Sequence, residues 1–399
     1  MKPMRTLDDL DLDALHSVVT LVRVDFNVPL EDGRVADSAR LEAALPTLAE
    51  LRRAGARVLL ASHCGRPKGQ RLPEMSLRPV AQELERLLGA PVVFADDCVG
   101  EAVEEAVSVL APGSVALLEN LRFHPGETAN DPEFAARLAV PAEVYVNDAF
   151  GTAHRAHAST VGVADRLARR AAGRLLVREV EVLEALLTDP ERPFAAVLGG
   201  AKISGKADTL QNLLPRVDLV VLGGAMANTF LAARGAELGR SLVEPERLDL
   251  ARQILADAEE RGVRVVLPSD LVVTDDLGQP GRVETVAANA VPTDLMAVDI
   301  GPATRTAIAA ELAGARTIFW NGPMGVFEQP PFDAGTTAVA TAIADSPGRS
   351  VIGGGETLAA ARRAGVDARI DHVSTGGGAA LELLAGQKLP GVEILRRDP

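Results

Sequence analysis

The sequence predicts an α/β protein: two doubly wound, Rossmann-like parallel-sheet lobes joined by a long hinge helix, with a cleft between them. Three observations lead there. Short apolar runs alternate with amphipathic helical stretches along the whole chain. Aromatics are only 3% of 399 residues, so the cores must be built from Val, Leu, Ile and Ala, which suits strands covered on both faces. Many of the apolar runs end in glycines or charged residues that open a helix.

The first series of strands is Val18–Val24, Arg57–Ala61, Pro91–Phe94, Val115–Leu118 and Val144–Val146. Helical patterns at Arg40–Ala54 and Leu77–Leu88 lie between them. A longer helical stretch, Asp165–Thr188, carries Arg174, Arg178, Glu179, Glu181 and Glu184 on its polar face. It ends at the Pro-bracketed segment Asp189–Pro193. A second series follows, with strands at Phe194–Leu198, Leu219–Leu222, Val263–Leu267, Met296–Ile300, Arg316–Phe319 and Ser350–Ile352. The expected organisation is an N-terminal lobe at 1–170, a hinge helix at 171–189 and a C-terminal lobe at 190–385. There is no short repeat and no low-complexity tract.

Composition narrows the function. Apolar residues are 47% and charged residues 24%, ordinary for a soluble globular protein. A net charge of −14 argues against a general nucleic-acid binder. It also makes a local gathering of arginines notable. Cys64 and Cys98 show no metal-binding or redox spacing, which fits a reduced, cytoplasmic setting. Met1–Leu15 is acidic without a long apolar run, so no signal peptide is expected. No apolar run is long enough to span a membrane.

The chemistry-bearing residues sit just past strand ends, where open α/β sheets bind ligands. In the first series Asp25 and Asn27 follow one strand, and His63 and Arg66 follow the next. Arg40 opens a helix, and Arg122 and Arg155 follow later strands. One arginine alone is usually a surface ion pair. Four at strand ends or helix starts of one sheet point to an anion site, because a guanidinium is always charged and binds phosphate or carboxylate bidentately.

The second series ends its strands in glycines: Gly199-Gly200, Gly223-Gly224, Gly322, Gly353-Gly354-Gly355 and Gly376-Gly377-Gly378. Any one such turn needs no ligand. Five in one lobe favour a nucleotide site, because glycine lets backbone N–H groups approach a phosphate and a helix start adds positive charge. Gly200–Ala207 nearly matches a P-loop, but Ala207 lacks the hydroxyl that binds Mg²⁺ there. Two lysines remain, Lys202 and Lys206. His154 and His157 have a spacing that could ligate a metal on a helix, but no acidic partner completes a zinc set. No nucleophile with an adjacent base is evident.

The chain resembles the phosphoglycerate kinase family from Arg23 to Val392. The motifs that carry the resemblance are RVDFNVP from Arg23, HCGRPKG from His63, LLENLRFHPGE from Leu117 and NDAFGTAHRAHAST from Asn147. They continue with LGGAKISGK from Leu198, WNGPMGVFE from Trp320, GGGET from Gly353 and STGGGAALELL from Ser374. The resemblance implies reversible phosphoryl transfer between 1,3-bisphosphoglycerate with ADP and 3-phosphoglycerate with ATP, direct and in line, with Mg²⁺ as cofactor. It implies a glycerate site of Asp25, Asn27, Arg40, His63, Arg66, Arg122 and Arg155. It implies nucleotide contacts from Lys202, Lys206, Gly223, Gly224, Glu328, Gly354, Gly355, Glu356 and Thr357, with Glu356 on the metal. Arg40, Lys202, Gly355 and Gly377 would be catalytic. The C-terminal tail, about 386–399, would return to the first lobe, and the protein would be a cytoplasmic monomer without nucleic-acid or membrane partners.

The sequence departs from the family's pattern in a few places. Cys64 replaces an apolar residue, Glu356 replaces a shorter Asp, and Gly205 and Ala207 soften the lysine loop. A non-catalytic nucleotide-binding protein of the same fold is the competing reading. Loss of Arg40, Lys202 or Lys206 would favour it, and all three are present.

Overall fold

A computed structural model describes residues 3–397. The outermost residues of the Met1–Leu15 run and of the C-terminal tail therefore lie outside the described residues. The chain divides into two compact units, Met1–Glu181 with Lys388–Pro399, and Val182–Gln387. Each is built on a six-stranded parallel sheet.

In the first unit the strands run in the spatial order Val92–Ala95, Val115–Leu118, Arg57–Ala61, Val19–Arg23, Val144–Asn147, Arg169–Ala172. Every neighbouring pair is parallel. The central strands are buried along nearly their full length, which is why they read as continuous apolar runs rather than alternating ones. The chain leaves Val19–Arg23 toward one edge and later returns to its other side. This makes a topological switch point beside that strand, where a crevice opens at the carboxyl ends. The tail packs on this unit: the Gly391 N–H donates to the Ala153 carbonyl (2.8 Å) and the Arg5 N–H to the Leu395 carbonyl (2.8 Å).

The sheet of the second unit has the order Arg264–Val266, Leu219–Leu222, Phe194–Leu198, Thr317–Asn321, Arg349–Gly353, His372–Ser374. Numbered along the chain this is 3-2-1-4-5-6, the order of dinucleotide-binding sheets. Its switch point lies between Phe194–Leu198 and Thr317–Asn321, which pair in parallel. Trp320 and Phe319 are fully buried there.

Two expectations are corrected. The helical stretch Asp165–Thr188 is not continuous. Arg169–Ala172 is an edge strand paired with Val144–Asn147, and the long helix is Arg174–Thr188. Burial of Ala171 and Ala172 on the sheet outweighs the helical propensity of an Arg-Arg-Ala-Ala run. The helix then starts on fixed partners, with the Leu175 and Leu176 N–H groups donating to Asp148 Oδ1 (2.9 and 3.1 Å). Second, Met296–Ile300 is a strand but not of the parallel sheet. It pairs antiparallel with Asp270–Thr274, which also pairs antiparallel with Val283–Ala287. Leu271, Val273, Val291 and Leu295 form a separate small core beneath this layer.

Candidate functional site

Four strand ends of the first unit pour into one basin of about 580 Å³. Asp25, Asn27, Arg40, His63, Arg66, Arg122 and Arg155 all line it. The turns that follow the strands are held by their own side chains. Asn27 Oδ1 accepts from the Gly65 N–H (2.9 Å), which ties the first turn to the second. An Arg122 guanidinium N–H donates to the Gly65 carbonyl (2.8 Å), which ties the third turn to the same point. Arg40 donates to Asp25 Oδ2 (3.1 Å) and to the Asn27 carbonyl (3.0 Å). Arg66 and Arg155 are exposed, Arg122 is half-buried, and Asp25 and His63 are buried.

The basin's electrostatics follow from this crowding. Burial first, then the charges of Arg23, Arg122, Arg40 and His157, push the pKa of His63 well below the usual histidine value. Burial, with Arg122 and Arg23 next, brings His157 down to about 4. Both rings are therefore neutral at pH 7, and the positive charge belongs to the arginines and Lys68. Lys68, Thr152 and His157 also line the basin and are not among the expected acid-binding residues; His157 enters the sequence reading only as a possible metal ligand with His154. His157 had a signal, its place in the His-Arg-Ala-His run. It shares no helix with His154. His154 lies in the turn after Phe150–Thr152, and His157 caps the π-helical turn Ala158–Gly162.

Asp97, Cys98 and His124 lie elsewhere in this unit and are the one group of three metal-type donors among the described residues. Asp97 Oδ1 already accepts from His124 Nε2 and the Cys98 N–H, both at 2.6 Å. Burial and the Asp97 charge push the Cys98 thiol well up, away from the thiolate a metal needs. Both cysteines are free and buried.

In the second unit a pocket of about 220 Å³ opens at the switch point. Gly200, Gly224, Glu328 and Glu356 line it, with Asn228, Leu271, Asp299 and the Pro323–Val326 turn. Gly224 has φ +63°, and a Cβ there would lie 2.6 Å from the Gly200 carbonyl oxygen. Only glycine lets these two turns pack together. Gly377 is equally constrained, since its Cβ would lie 2.4 Å from Gly354 Cα. The Gly355–Arg363 helix starts beside it, with Glu356 exposed in its first turn. Burial pushes Asp299 up to about 7, although it accepts the Ile300 and Gly335 N–H groups (2.9 and 2.6 Å). Its signal was an acid at a strand end before Gly301-Pro302.

The remaining predicted residues fall behind or beside that wall. Lys206 Nζ donates to the Gly199 carbonyl (2.5 Å) and the Asn321 carbonyl (2.9 Å). It thus clamps the two strand ends at the switch point. Burial lowers its pKa to about 8, with the Glu356 charge opposing. Lys202 is exposed in the turn before it. The Thr357 hydroxyl donates to the Gly353 carbonyl and accepts the Gly322 N–H, both at 2.8 Å, so it holds two turns together from inside. Gly223 is buried, Gly354 and Gly377 are partly exposed, and Gly355 is exposed. Ala207 is buried at the first helical position and offers no oxygen, which removes the P-loop's metal ligand.

A basic basin for a small anion and a glycine-framed pocket at a dinucleotide-type switch point are the equipment of a phosphotransferase. A family profile described as phosphoglycerate kinase matches residues 7–387. The phosphoglycerate kinase of Moorella thermoacetica is 55% identical over 390 residues, 98% of each chain. That of Thermomicrobium roseum is 53% identical over 395 residues, 99% of this chain and all of its own. Among solved structures, phosphoglycerate kinase from Coxiella burnetii superposes with a TM-score of 0.87 at 42% identity, over 98% of this chain and 99% of that one. The Pyrococcus horikoshii enzyme gives 0.84 at 34%, over 98% of each. The chain belongs to the phosphoglycerate kinase family, and it is a kinase acting on 3-phosphoglycerate.

Proposed function

We propose that the N-terminal unit, with its returning tail, holds the phosphoglycerate and the C-terminal unit the nucleotide, and that this cytoplasmic monomer transfers the phosphoryl group directly and in line. One observation carries the reading: all seven predicted acid-binding residues line a single basin, and that basin is cationic while His63 and His157 are neutral. Arg66, Arg122 and Arg155 take the non-reacting phosphate. Arg40 takes the reacting carboxylate, held by Asp25 and Asn27. Gly224 and Glu328 border the nucleoside pocket, Lys206 and the helix start at Gly355 serve its phosphates, and Lys202 and Gly377 serve the transferring group.

Phosphoryl transfer asks for position and charge neutralisation rather than a covalent intermediate. An acyl phosphate leaves behind a carboxylate, so no strong general base is needed. Replacing Arg66, Arg122 or Arg155 with Ala is expected to raise KM for 3-phosphoglycerate, by an amount equivalent to about 2–5 kcal/mol where the contact is desolvated. Arg122, the least exposed, should cost most. Steady-state kinetics check this, and an unchanged KM in all three variants removes them from the site.

The donor set at Glu356 suits Mg²⁺. It is a hard, exposed carboxylate on the pocket wall, and Mg²⁺ commonly takes one carboxylate along with phosphate oxygens and waters. When bound, the ion would neutralise nucleotide phosphate charge. Glu356→Asp is expected to retain activity, and Glu356→Gln to lower it and raise the Mg²⁺ requirement. Superimposable metal titrations of wild type and Glu356→Gln would remove Glu356 from the metal.

A further inference from the structure

Behind the basin lies a buried charge pair that the assigned contacts do not use. Arg23 is 1% exposed and Glu127 is 0% exposed. They are joined through one hydroxyl. Arg23 Nε donates to Ser159 Oγ (2.8 Å), and Ser159 Oγ donates to Glu127 Oε1 (2.6 Å). The Ser159 N–H fixes the other carboxylate oxygen (3.0 Å), and the Ser159 carbonyl accepts from the Tyr145 hydroxyl (2.7 Å). The Arg23 guanidinium is further held by the Val24 carbonyl. Its remaining arm lies 3.2 Å from His63 Nδ1.

A guanidinium has five N–H donors and no acceptor. At the Arg23–His63 contact the ring nitrogen must therefore accept, and its hydrogen must be elsewhere. We infer that the chain Glu127–Ser159–Arg23 fixes His63 as the neutral tautomer with its hydrogen on Nε2, so that His63 serves the basin as a hydrogen-bond donor to an oxygen of the bound acid. Arg23, Ser159 and Glu127 are then positioning residues, acting through His63. The inference rests on the basin being the acid site.

The competing arrangement would put the hydrogen on Nδ1 and point it at Asp25. Asp25 Oδ1 is 3.8 Å away, beyond hydrogen-bond reach, and the Asp25 oxygens already receive the Asn27 N–H (3.4 Å) and Arg40 (3.1 Å). No hydrogen bond joins His63 Nε2 to any described residue, which leaves that nitrogen for a ligand on the basin side. Protonation is opposed by burial and by Arg23, Arg122, Arg40 and His157. A neutral donor also suits the chemistry. It binds phosphate, carboxylate or hydroxyl oxygen without adding a charge that titrates near neutrality.

The test is direct. The full chain, labelled with ¹⁵N-histidine, gives a distinct nitrogen pattern for each tautomer, and the His63→Gln spectrum assigns the signals. From pH 6 to 8 the expected result is an unprotonated Nδ1 and a protonated Nε2 at His63, with Nε2 shifting when 3-phosphoglycerate saturates. Ser159→Ala keeps both charges but cuts the chain. It is expected to give mixed tautomers and to raise KM for 3-phosphoglycerate about 3–10-fold, with a smaller change in kcat. A hydrogen on Nδ1 in the wild type, or an unmixed Nε2–H tautomer in Ser159→Ala, would overturn the relay. An Nε2–H tautomer that ignores saturating 3-phosphoglycerate would instead overturn the basin's assignment.

Discussion

Arg40→Ala and Lys202→Ala are each expected to lower kcat by roughly 10²–10³-fold, more than they raise KM. Arg40 is not a loose surface charge. Its guanidinium is set by Asp25 and the Asn27 carbonyl at the head of the Ala39–Arg53 helix. A fixed cation is worth most where charge develops during transfer, so its loss falls on the transition state. Lys202 differs: it is exposed, and a lysine ammonium on its flexible four-carbon stem can follow the phosphoryl oxygens in the proposed transfer. Steady-state kinetics with both substrates saturating decide the matter. If Lys202→Ala turns over at the wild-type rate, Lys202 is a surface residue and the mechanism loses its second cation.

Lys206→Ala is expected to act on both folding and nucleotide binding. Its ammonium donates to the Gly199 and Asn321 carbonyls at the switch point. Removing it leaves the buried Gly199 carbonyl bare, at a cost of about 1–3 kcal/mol, while the Asn321 carbonyl keeps the Gly199 N–H (3.0 Å). With the role proposed for the same charge at the nucleotide phosphates, Kd for ADP should rise roughly 10–100-fold. The pH dependence separates the two effects. The folded pKa of about 8 lies below the ordinary 10.5, so between these values the unfolded chain binds the extra proton. This group's contribution to stability therefore increases as pH rises through that window. Nucleotide affinity runs the other way, falling as pH climbs past about 8 and the ammonium is lost. Lys206→Arg keeps its charge throughout and should flatten the affinity profile. Chemical denaturation and calorimetric ADP titration over pH 7–9 read the two trends.

The sequence carried most of the scaffold because buried parallel strands announce themselves. Phe194–Leu198 and Leu219–Leu222 are uninterrupted apolar runs, and the structure gives them those bounds. What it hid was half-buried. Val283–Ala287 alternates between exposed and partly buried positions, as a one-sided antiparallel strand does, and a search for apolar runs passes over it. Arg169–Ala172 reads as helix until its pairing with Val144–Asn147 is known, although Gly173 after it marks a strand-to-helix turn.

The sites divide in the same way. Residues just past strand ends, such as Asn27, Arg66 and Arg122, gather in the basin because the sheet's topology brings all those ends to one edge. Lys206 and Thr357 were legible as members of a glycine-rich turn, but not as clamps between two turns. Their partners, Asn321 and Gly322, are more than thirty residues away in sequence. Arg23 and Glu127 were visible only as letters in longer motifs, since nothing local says that a hydroxyl at Ser159 joins them.

A kinase of this family passes its phosphoryl group between nucleotide and acid rather than to water. The most direct measurement is ADP formation from Mg-ATP by the wild-type protein, with and without 3-phosphoglycerate. The predicted result is ADP production that depends on the acid and is matched by 1,3-bisphosphoglycerate, with little release in its absence. ADP appearing as fast without 3-phosphoglycerate would contradict it.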